Sequence, residues 1–290
     1  MNVNFKSLSE GVRLANGNFI PAVGFGTWQA TGNEAYNSVL CALEEGYRHI
    51  DTAAAYANEE EVGKAINDFI ANGGAKREEI FVTTKLWNTD HGYDSAAAAI
   101  KTSLAKLKLD YVDLYLIHWP NPLPLRNCWA QKNAESWKAM EEAHEKGLLR
   151  SIGVSNFCER HLEPLLKIAK IKPVVNQIKL CPGQTQSALV SYCRKLNILL
   201  EAYSPFGTGK IFTSKEMGNL AEKYGRTIAQ ICLRWSLQEG FVPIAKSVTS
   251  ERIKENARVF DFVIDEGDCE KIAALKSDVN PPRNPDEAPF

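Results

Sequence analysis

The sequence lacks the features that mark secreted, membrane-spanning and nucleic-acid-binding proteins. Its seven cysteines lie far apart, with no C-x-x-C pair and no Cys/His cluster at zinc spacing. An odd number of scattered cysteines suits a reducing cytosol better than a disulfide framework. The start, MNVNFKSLSEG, has no apolar signal-peptide core, and no run approaches the ~18 apolar residues of a membrane span. With a formal net charge of −1, we expect a soluble cytoplasmic protein with neither nucleic acid nor membrane as its partner.

What is present is an ordinary globular composition, with 44% hydrophobic and 24% charged residues in a chain of 290. Two short apolar runs flank Asn16-Gly17, and this dipeptide predicts a β-hairpin with a type I′ turn. A chain this long can bury a large core, either as two domains or as one α/β barrel.

Beyond the hairpin, strand-like and helix-like segments alternate. Short apolar or β-branched runs lie at 22–26, 49–51, 80–85, 112–118, 151–154, 174–177, 199–203 and 242–245. Amphipathic stretches with helical spacing lie at 33–45, 59–71, 95–107, 134–146, 159–169, 186–195, 227–239 and 250–259. Eight strand–helix units favour a closed (β/α)8 TIM barrel in one domain, residues 1–290, over a doubly wound sheet, because no G-x-G-x-x-G follows the first strand. Long irregular segments are predicted at 119–131, 204–213 and 277–290.

Polar residues end three consecutive predicted strands. Asp51 ends the second, with Tyr56 five residues later, while Lys85 and His118 end the third and fourth. Lys85 in an apolar strand requires a partner, which Asp51 can supply, and its ammonium would lower the pKa of Tyr56 from about 10. The four side chains together predict a proton-transfer site in which His118 orients a carbonyl oxygen. Each residue alone would be as well explained by a structural ion pair, a half-exposed tyrosine or a core histidine.

Motifs along nearly the whole chain resemble those of the aldo-keto reductases, in the family's order. They are GFGTW (24–28), DTAAAY (51–56), IHWP (117–120), GVSNF (153–157), NQIKLCP (176–182), AYSP (202–205), IAKS (244–247) and RIKEN (252–256). The sequence is similar to bacterial and fungal diketogluconate-reductase-like members, and the resemblance implies an NADPH-dependent carbonyl reductase. It makes Asp51, Tyr56, Lys85 and His118 a catalytic tetrad, with Tyr56 as the general acid.

The resemblance also implies an NADPH/NADP+ site across the barrel mouth. The implied contacts are Ser155, Asn156, Gln177 and Tyr203 around the nicotinamide, and Lys246, Ser247, Arg252, Glu255 and Asn256 around the adenosine half. Thr27, Trp28 and Ser204 are further implied cofactor contacts. Lys246 and Arg252 flank the start of the predicted last helix and suit a 2′-phosphate. Simpler interpretations stay open: Ser155-Asn156 as a helix cap, Tyr203 as core packing, and a solvated basic helix end.

Three tryptophans follow predicted strands and would surround a carbonyl substrate: Trp28, Trp87 and Trp119. Arg126 in the following loop is a candidate partner for a substrate carboxylate. Three residues depart from the family pattern: Ala245 stands for a proline that could stiffen the strand end, Lys179 for an acid and Cys181 for a histidine.

Two alternative functions remain at this level. A metal-dependent barrel hydrolase would need a histidine and carboxylate cluster, yet the five histidines form no H-x-H or H-E-x-x-H, so we expect no metal. A non-catalytic NADPH-binding barrel is the other, although an intact tetrad argues against it. We expect a small-molecule carbonyl substrate and a monomer or weak homo-oligomer.

Overall fold

The computed structural model describes residues 5–275 and 281–290. The hairpin is confirmed: β1 (Gly11–Arg13) and β2 (Phe19–Pro21) pair antiparallel. It packs with Phe81, Leu114 and Val174 from the amino ends of the barrel strands in a small apolar cluster. The hairpin therefore closes one end of the barrel and leaves the carboxyl ends of the strands as the open mouth.

The predicted type I′ turn is wrong. The Gly17 N–H donates to the Leu14 carbonyl at 2.9 Å, and the Leu14 N–H donates to the Asn18 carbonyl at 2.8 Å. Gly17 has a φ of 87°, while Asn16 is not among the residues with positive φ. A type I′ turn needs both central residues left-handed. The connection is instead a longer loop with one left-handed glycine.

Eight parallel strands form the closed barrel, which confirms the (β/α)8 prediction. They are β3 (Gly24–Gly26), β4 (His49–Asp51), β5 (Phe81–Leu86), β6 (Leu114–Ile117), β7 (Ile152–Ser155), β8 (Val175–Lys179), β9 (Leu199–Tyr203) and β10 (Val242–Ala245). β10 closes the ring by pairing with both β3 and β9. Ala245 still pairs with Phe25, so an alanine at the position where the resembling family has a proline leaves this strand end in the ladder.

Ten α-helices surround the barrel in the described ranges. They are α1 (Gly32–Glu44), α2 (Glu59–Ala71), α3 (Tyr93–Leu107), α4 (Trp129–Glu145), α5 (Glu159–Ile168), α6 (Ser187–Lys195), α7 (Lys215–Tyr224), α8 (Ile228–Gln238), α9 (Ser250–Asn256) and α10 (Glu266–Ala273). The sequence interpretation missed α7 and α10. The predicted last helix is therefore α9, and it is shorter than expected.

The two missed helices are short and have ordinary helical sequences. In α7, the hydroxyl of Ser214 accepts a hydrogen bond from the Met217 N–H, and Gly225 ends the helix in a left-handed conformation. Met217, Leu220 and Ala221 are its buried residues. Length does not explain why they were missed, because α7 is only one residue shorter than α8. Both lie outside a simple alternation of one helix per strand, since α7 comes between β9 and α8, and α10 follows α9. Across the described chain, the helices are all too short or too polar to cross a bilayer. The one-domain division of residues 1–290 stays a prediction.

Candidate active site

Asp51 and Lys85 form an ion pair inside the barrel, near its mouth. The Lys85 Nζ lies 2.7 Å from the Asp51 Oδ1, and both side chains are almost fully buried. Lys85 also donates to the Thr52 carbonyl at 2.9 Å. Burial opposes the ammonium, but Asp51 and then Tyr56 outweigh it and raise the pKa of Lys85 above its usual value. Lys85 is therefore a stable buried cation.

Tyr56 lies next to this pair, on a short 3-10 helix, Ala54–Tyr56, that follows β4. The Lys85 Nζ is 3.2 Å from its hydroxyl oxygen. The expected lowering of the pKa of Tyr56 is not what the structure gives. Burial raises this pKa, Lys85 lowers it by less, and Asp51 adds to the rise. Tyr56 therefore holds its proton at neutral pH, which suits a general acid.

His118 completes the predicted tetrad just beyond β6. Its ring meets the Tyr56 ring edge to face, with centroids 5.7 Å apart. Burial, with a further contribution from Lys85, lowers the pKa of His118 well below its usual range. Its Nδ1 is buried without a hydrogen-bond partner among the described residues. The structure thus brings the four predicted residues together, with His118 as a neutral imidazole.

The amide and hydroxyl side chains predicted for the nicotinamide form one connected network. Tyr203 donates to the Asn156 Oδ1 at 2.8 Å, Asn156 donates to the Ser155 Oγ at 3.1 Å, and Ser155 donates to the Gln177 carbonyl at 2.9 Å. Gln177 joins this network to the tetrad because its Nε2 donates to the Asp51 Oδ2 at 2.8 Å. Ser155 and Tyr203 end β7 and β9, Asn156 follows β7, and Gln177 lies in the middle of β8, not at its end as predicted.

The helix-cap interpretation of Ser155-Asn156 is wrong, since Cys158 is the residue that precedes the first turn of α5. Asn156 is left-handed, with a φ of 61°, and its Nδ2 also donates to the His118 carbonyl at 3.0 Å. This bond links the loop after β7 to the end of β6. Asn156 therefore holds the mouth of the barrel together.

Thr27, Trp28 and Ser204 occupy different environments at the mouth. Thr27 is fully buried, and its hydroxyl donates to the Asp51 carbonyl at 3.0 Å, so this side chain joins β3 to β4. Trp28 is 52% exposed. Ser204 follows β9 in a left-handed conformation with a φ of 51°. Of the three, Trp28 offers the most accessible side-chain surface to a ligand.

The residues predicted for the 2′-phosphate lie at the end of β10 and on α9. Neither Lys246 nor Arg252 makes an ion pair within residues 5–275 and 281–290, whereas the neighbouring Lys254 pairs with Glu45. Ser247 accepts from the Thr249 N–H at 3.1 Å. Two cations without protein partners beside a hydroxyl are a donor set that fits a phosphate.

Glu255 and Asn256 form the other side of this predicted adenosine site. The Glu255 carboxylate accepts from the Thr227 hydroxyl at 2.8 Å, which ties α9 to the start of α8. Asn256 is buried. Both residues are thus partly engaged in packing α9.

An aromatic wall beside His118 includes a residue that the sequence interpretation missed. The Phe290 ring lies 5.7 Å from Trp87 and 5.1 Å from Trp119, and Trp87 lies 5.2 Å from His118. Trp28 makes no such ring contact in the described chain. A terminal phenylalanine gives no sequence signal of this role, because only the path of the tail brings it there.

The tail, residues 281–290, is anchored by several polar contacts. Asp286 forms an ion pair with Arg160 and accepts hydrogen bonds from the His161 Nε2 at 2.9 Å and from the Asn121 Nδ2 at 2.8 Å. Arg126, predicted to meet a substrate carboxylate, donates to the Ala288 carbonyl at 2.9 Å instead. Its role is therefore to hold the tail next to the loop that follows β6.

Two clefts of about 540 and 530 Å³ are lined by none of the four tetrad residues, although Ala54 and Trp87, which line the second, come from segments next to Tyr56 and His118. The first lies beneath the hairpin at the closed end, and the second lies beside α3. Neither cleft is lined by Tyr56 or Lys85, so we place the candidate active site at the barrel mouth and not in these clefts. Over the described ranges, no group of three or more His, Cys, Asp or Glu side chains could hold a metal ion.

Comparisons with known proteins agree with this geometry. The Aldo/keto reductase family model matches residues 22–277. A glyoxal reductase of Bacillus subtilis is 46% identical over 285 residues, covering 98% of this chain and 99% of the relative. The methylglyoxal reductase DkgA of Escherichia coli is 46% identical over 266 residues, covering 91% of this chain and 92% of the relative.

Solved structures extend the match to three dimensions. An aldo/keto reductase of Brucella melitensis has a TM-score of 0.86 at 46% identity, covering 92% of this chain and 98% of that one. A Bombyx mori aldo-keto reductase in complex with NADP has a TM-score of 0.83 at 40% identity, covering 90% of this chain and 91% of that one.

Proposed function

Because this chain belongs to the aldo/keto reductase family, we propose that it reduces aldehydes and ketones to alcohols with NADPH as the hydride donor. The observation that carries the proposal is the position of Lys85, whose Nζ contacts both the Asp51 carboxylate and the Tyr56 hydroxyl. A buried cation touching a phenol is the arrangement that a tyrosine general acid needs.

The proposed roles follow from the contacts. When bound, the nicotinamide cofactor supplies the hydride. Tyr56 gives its proton to the carbonyl oxygen, and Lys85 stabilises the phenolate that remains, at 3.2 Å. Asp51 keeps Lys85 charged in the barrel interior. His118, neutral at working pH, donates a hydrogen bond that orients the carbonyl oxygen.

The cofactor preference rests on charge. Lys246 and Arg252 would hold the 2′-phosphate, since neither has an ion-pair partner in the part of the chain that the structure describes. Ser155, Asn156, Gln177 and Tyr203 would hold and flank the carboxamide ring. The complex of the Bombyx mori relative with NADP supports this proposal.

For the substrate, we propose small aldehydes and dicarbonyls. The two bacterial relatives are named glyoxal and methylglyoxal reductases. The wall of Trp87, Trp119 and Phe290 would accept apolar or flat substituents. We place the reaction in the cytoplasm, where the seven cysteines, all free, would stay reduced.

The decisive experiment is a panel of carbonyl compounds assayed in parallel with NADPH and NADH, followed by Tyr56→Phe in single-turnover reduction. Wild type should reduce small dicarbonyls with NADPH, while Tyr56→Phe should bind NADPH normally and fail to turn over. Single-turnover rates are needed because slow cofactor release can mask the chemical step. Near-wild-type reduction by Tyr56→Phe would refute the assignment. NADPH binding by wild type without any reduction would favour a non-catalytic barrel.

A further inference from the structure

A second buried carboxyl group lies inside the barrel, below the proposed catalytic residues. Glu201, on β9, has no exposed surface, and its strand neighbour in the β8–β9 register is Gln177. The Gln177 Nε2 donates to the Glu201 Oε2 at 2.8 Å and to the Asp51 Oδ2 at 2.8 Å. One amide nitrogen therefore joins two carboxyl groups.

The charges around Glu201 do not balance two ionised carboxyl groups. Lys85 is the nearby cation, and it is paired with Asp51 at 2.7 Å. His49, whose Nε2 lies 3.5 Å from the Glu201 Oε1, is not a second cation, because burial and then Lys85 lower its pKa to about 3. On the other side, β10 places only Val242 beside Glu201. A buried carboxyl group without its own cation keeps its proton.

The shift in the pKa of Glu201 agrees with this geometry. Burial raises the pKa of Glu201 to about 8, with a further rise from Asp51, while Gln177 and Lys85 act in the opposite direction. At neutral pH the cluster thus contains one anion, Asp51, and one cation, Lys85. Ionisation of Glu201 would add a second negative charge that disfavours the Tyr56 phenolate.

The two acceptors also fix the side-chain amide of Gln177. Both protons on its Nε2 are used within the barrel, and its Oε1 makes no hydrogen bond in the described chain. Without these two acceptors, the amide group could rotate by about 180° and present its NH2 group instead of its oxygen at the barrel mouth. With Glu201 in place, only the oxygen remains available to a ligand.

We propose that Glu201 is a positioning residue: it holds the Gln177 amide with its oxygen available to the cofactor carboxamide, and, by staying uncharged, it leaves Asp51 as the sole anion beside Lys85. This inference rests on the proposed function. It assigns to Glu201 a role that acts through Gln177 and Asp51, not by contact with the substrate.

The first test uses the protein without cofactor. Infrared difference spectra across a pH titration should show a protonated carboxyl band in wild type that disappears near pH 8 and is missing from Glu201→Gln. Glu59→Gln is the matched control, since Glu59 is equally buried but accepts from Thr84 and contacts neither Gln177 nor Asp51. The control should keep the band. A wild-type spectrum without a carboxyl group titrating in this range would overturn the claim that Glu201 is uncharged.

The second test measures NADP+ affinity by tryptophan fluorescence. Glu201→Gln keeps an acceptor for Gln177 and should bind like wild type. Glu201→Leu removes the acceptor and should bind about tenfold more weakly, the scale of one lost hydrogen bond. Equal affinities in all three proteins would overturn the positioning role. If Glu201→Leu does not fold, Glu201→Met takes its place.

A third readout separates positioning from plain structural support. Single-turnover alcohol oxidation, which needs the Tyr56 phenolate, should reach its half-maximal rate at a lower pH in Glu201→Gln than in wild type. An unshifted profile would contradict the charge argument. Failure of the proposed function is distinguishable, because wild type itself would then either bind no NADP+ or bind it without oxidising alcohols, while the infrared titration would still report on Glu201.

Discussion

Replacement of Lys85 by methionine should destabilise the protein, and the structure allows the cost to be estimated. The Lys85 Nζ lies 2.7 Å from the Asp51 Oδ1, so the attraction is about 6 kcal/mol at an effective dielectric constant of about 20. Desolvation of both groups offsets part of this attraction. Removing one partner of such a buried pair leaves the other charge without compensation, which costs about 3–5 kcal/mol.

The double variant makes this prediction specific. Asp51→Asn alone should cost a similar amount, because it leaves the Lys85 ammonium buried without an anion. Lys85 and Gln177, which now donate to different oxygens of Asp51, would also have only one side-chain oxygen to share. In Asp51→Asn/Lys85→Met no charge is buried, and the asparagine oxygen can accept from Gln177. The double variant should therefore cost about as much as one single variant, not their sum.

Urea unfolding of the three variants at neutral pH, followed by circular dichroism, measures these free energies. The dependence on urea concentration should be the same in all proteins, so that midpoint shifts report stability alone. Costs that add to within about 0.5 kcal/mol would show that Asp51 and Lys85 do not interact, and would refute the argument from the buried pair.

Three further predictions concern the cofactor, the substrate and pH. Arg252→Ala should weaken NADPH binding about tenfold and leave NADH binding unchanged, whereas Lys254→Ala, on the same helix but paired with Glu45, should change neither. Phe290→Ala should alter the ranking of carbonyl substrates in kcat/KM without changing NADPH affinity, and Phe19→Ala, at the closed end, should alter neither. The pKa of Glu201 is about 8 in the folded protein and about 4.3 when unfolded, so its stabilising contribution is fully present below about pH 4.3, declines as pH rises and is lost by about pH 8. Thermal unfolding midpoints of wild type should therefore fall more steeply over this range than those of Glu201→Gln, and parallel curves would contradict the prediction.

The clustering of the tetrad could be predicted from the sequence because barrel geometry decides it. Asp51, Lys85 and His118 end consecutive strands, and parallel neighbours bring their carboxyl ends together. The direction in which the pKa of Tyr56 shifts could not be predicted in the same way. It depends on a competition between burial and the Lys85 charge, and the depth of burial is set by the packing of the whole mouth.

The remaining errors have similar physical causes. Asn16-Gly17 is compatible with two turn geometries, and the choice depends on contacts of the loop with residues far along the chain: Asn16 and Asn18 donate to the Arg150 carbonyl at 3.3 and 2.7 Å. Phe290 reaches the site because Asp286 is tied to Arg160 and His161. Local patterns in the sequence contain no information about partners more than a hundred residues away.

Four buried polar side chains inside the barrel, His49, Asp51, Gln177 and Glu201, form a polar column that connects the fold to the protonation states of the site. Interior positions of such barrels are usually filled by bulky branched residues, yet here β4 contributes buried His49 and Asp51, and the strands across the barrel, β8 and β9, contribute buried Gln177 and Glu201. Each polar group is costly to bury unless its neighbour satisfies it, so the column holds together only as a whole. Its neighbours also decide which members stay charged, and this leaves Lys85 with one anion and Tyr56 with its proton. The contacts that satisfy these buried polar groups therefore also set the protonation states that the proposed carbonyl reduction requires.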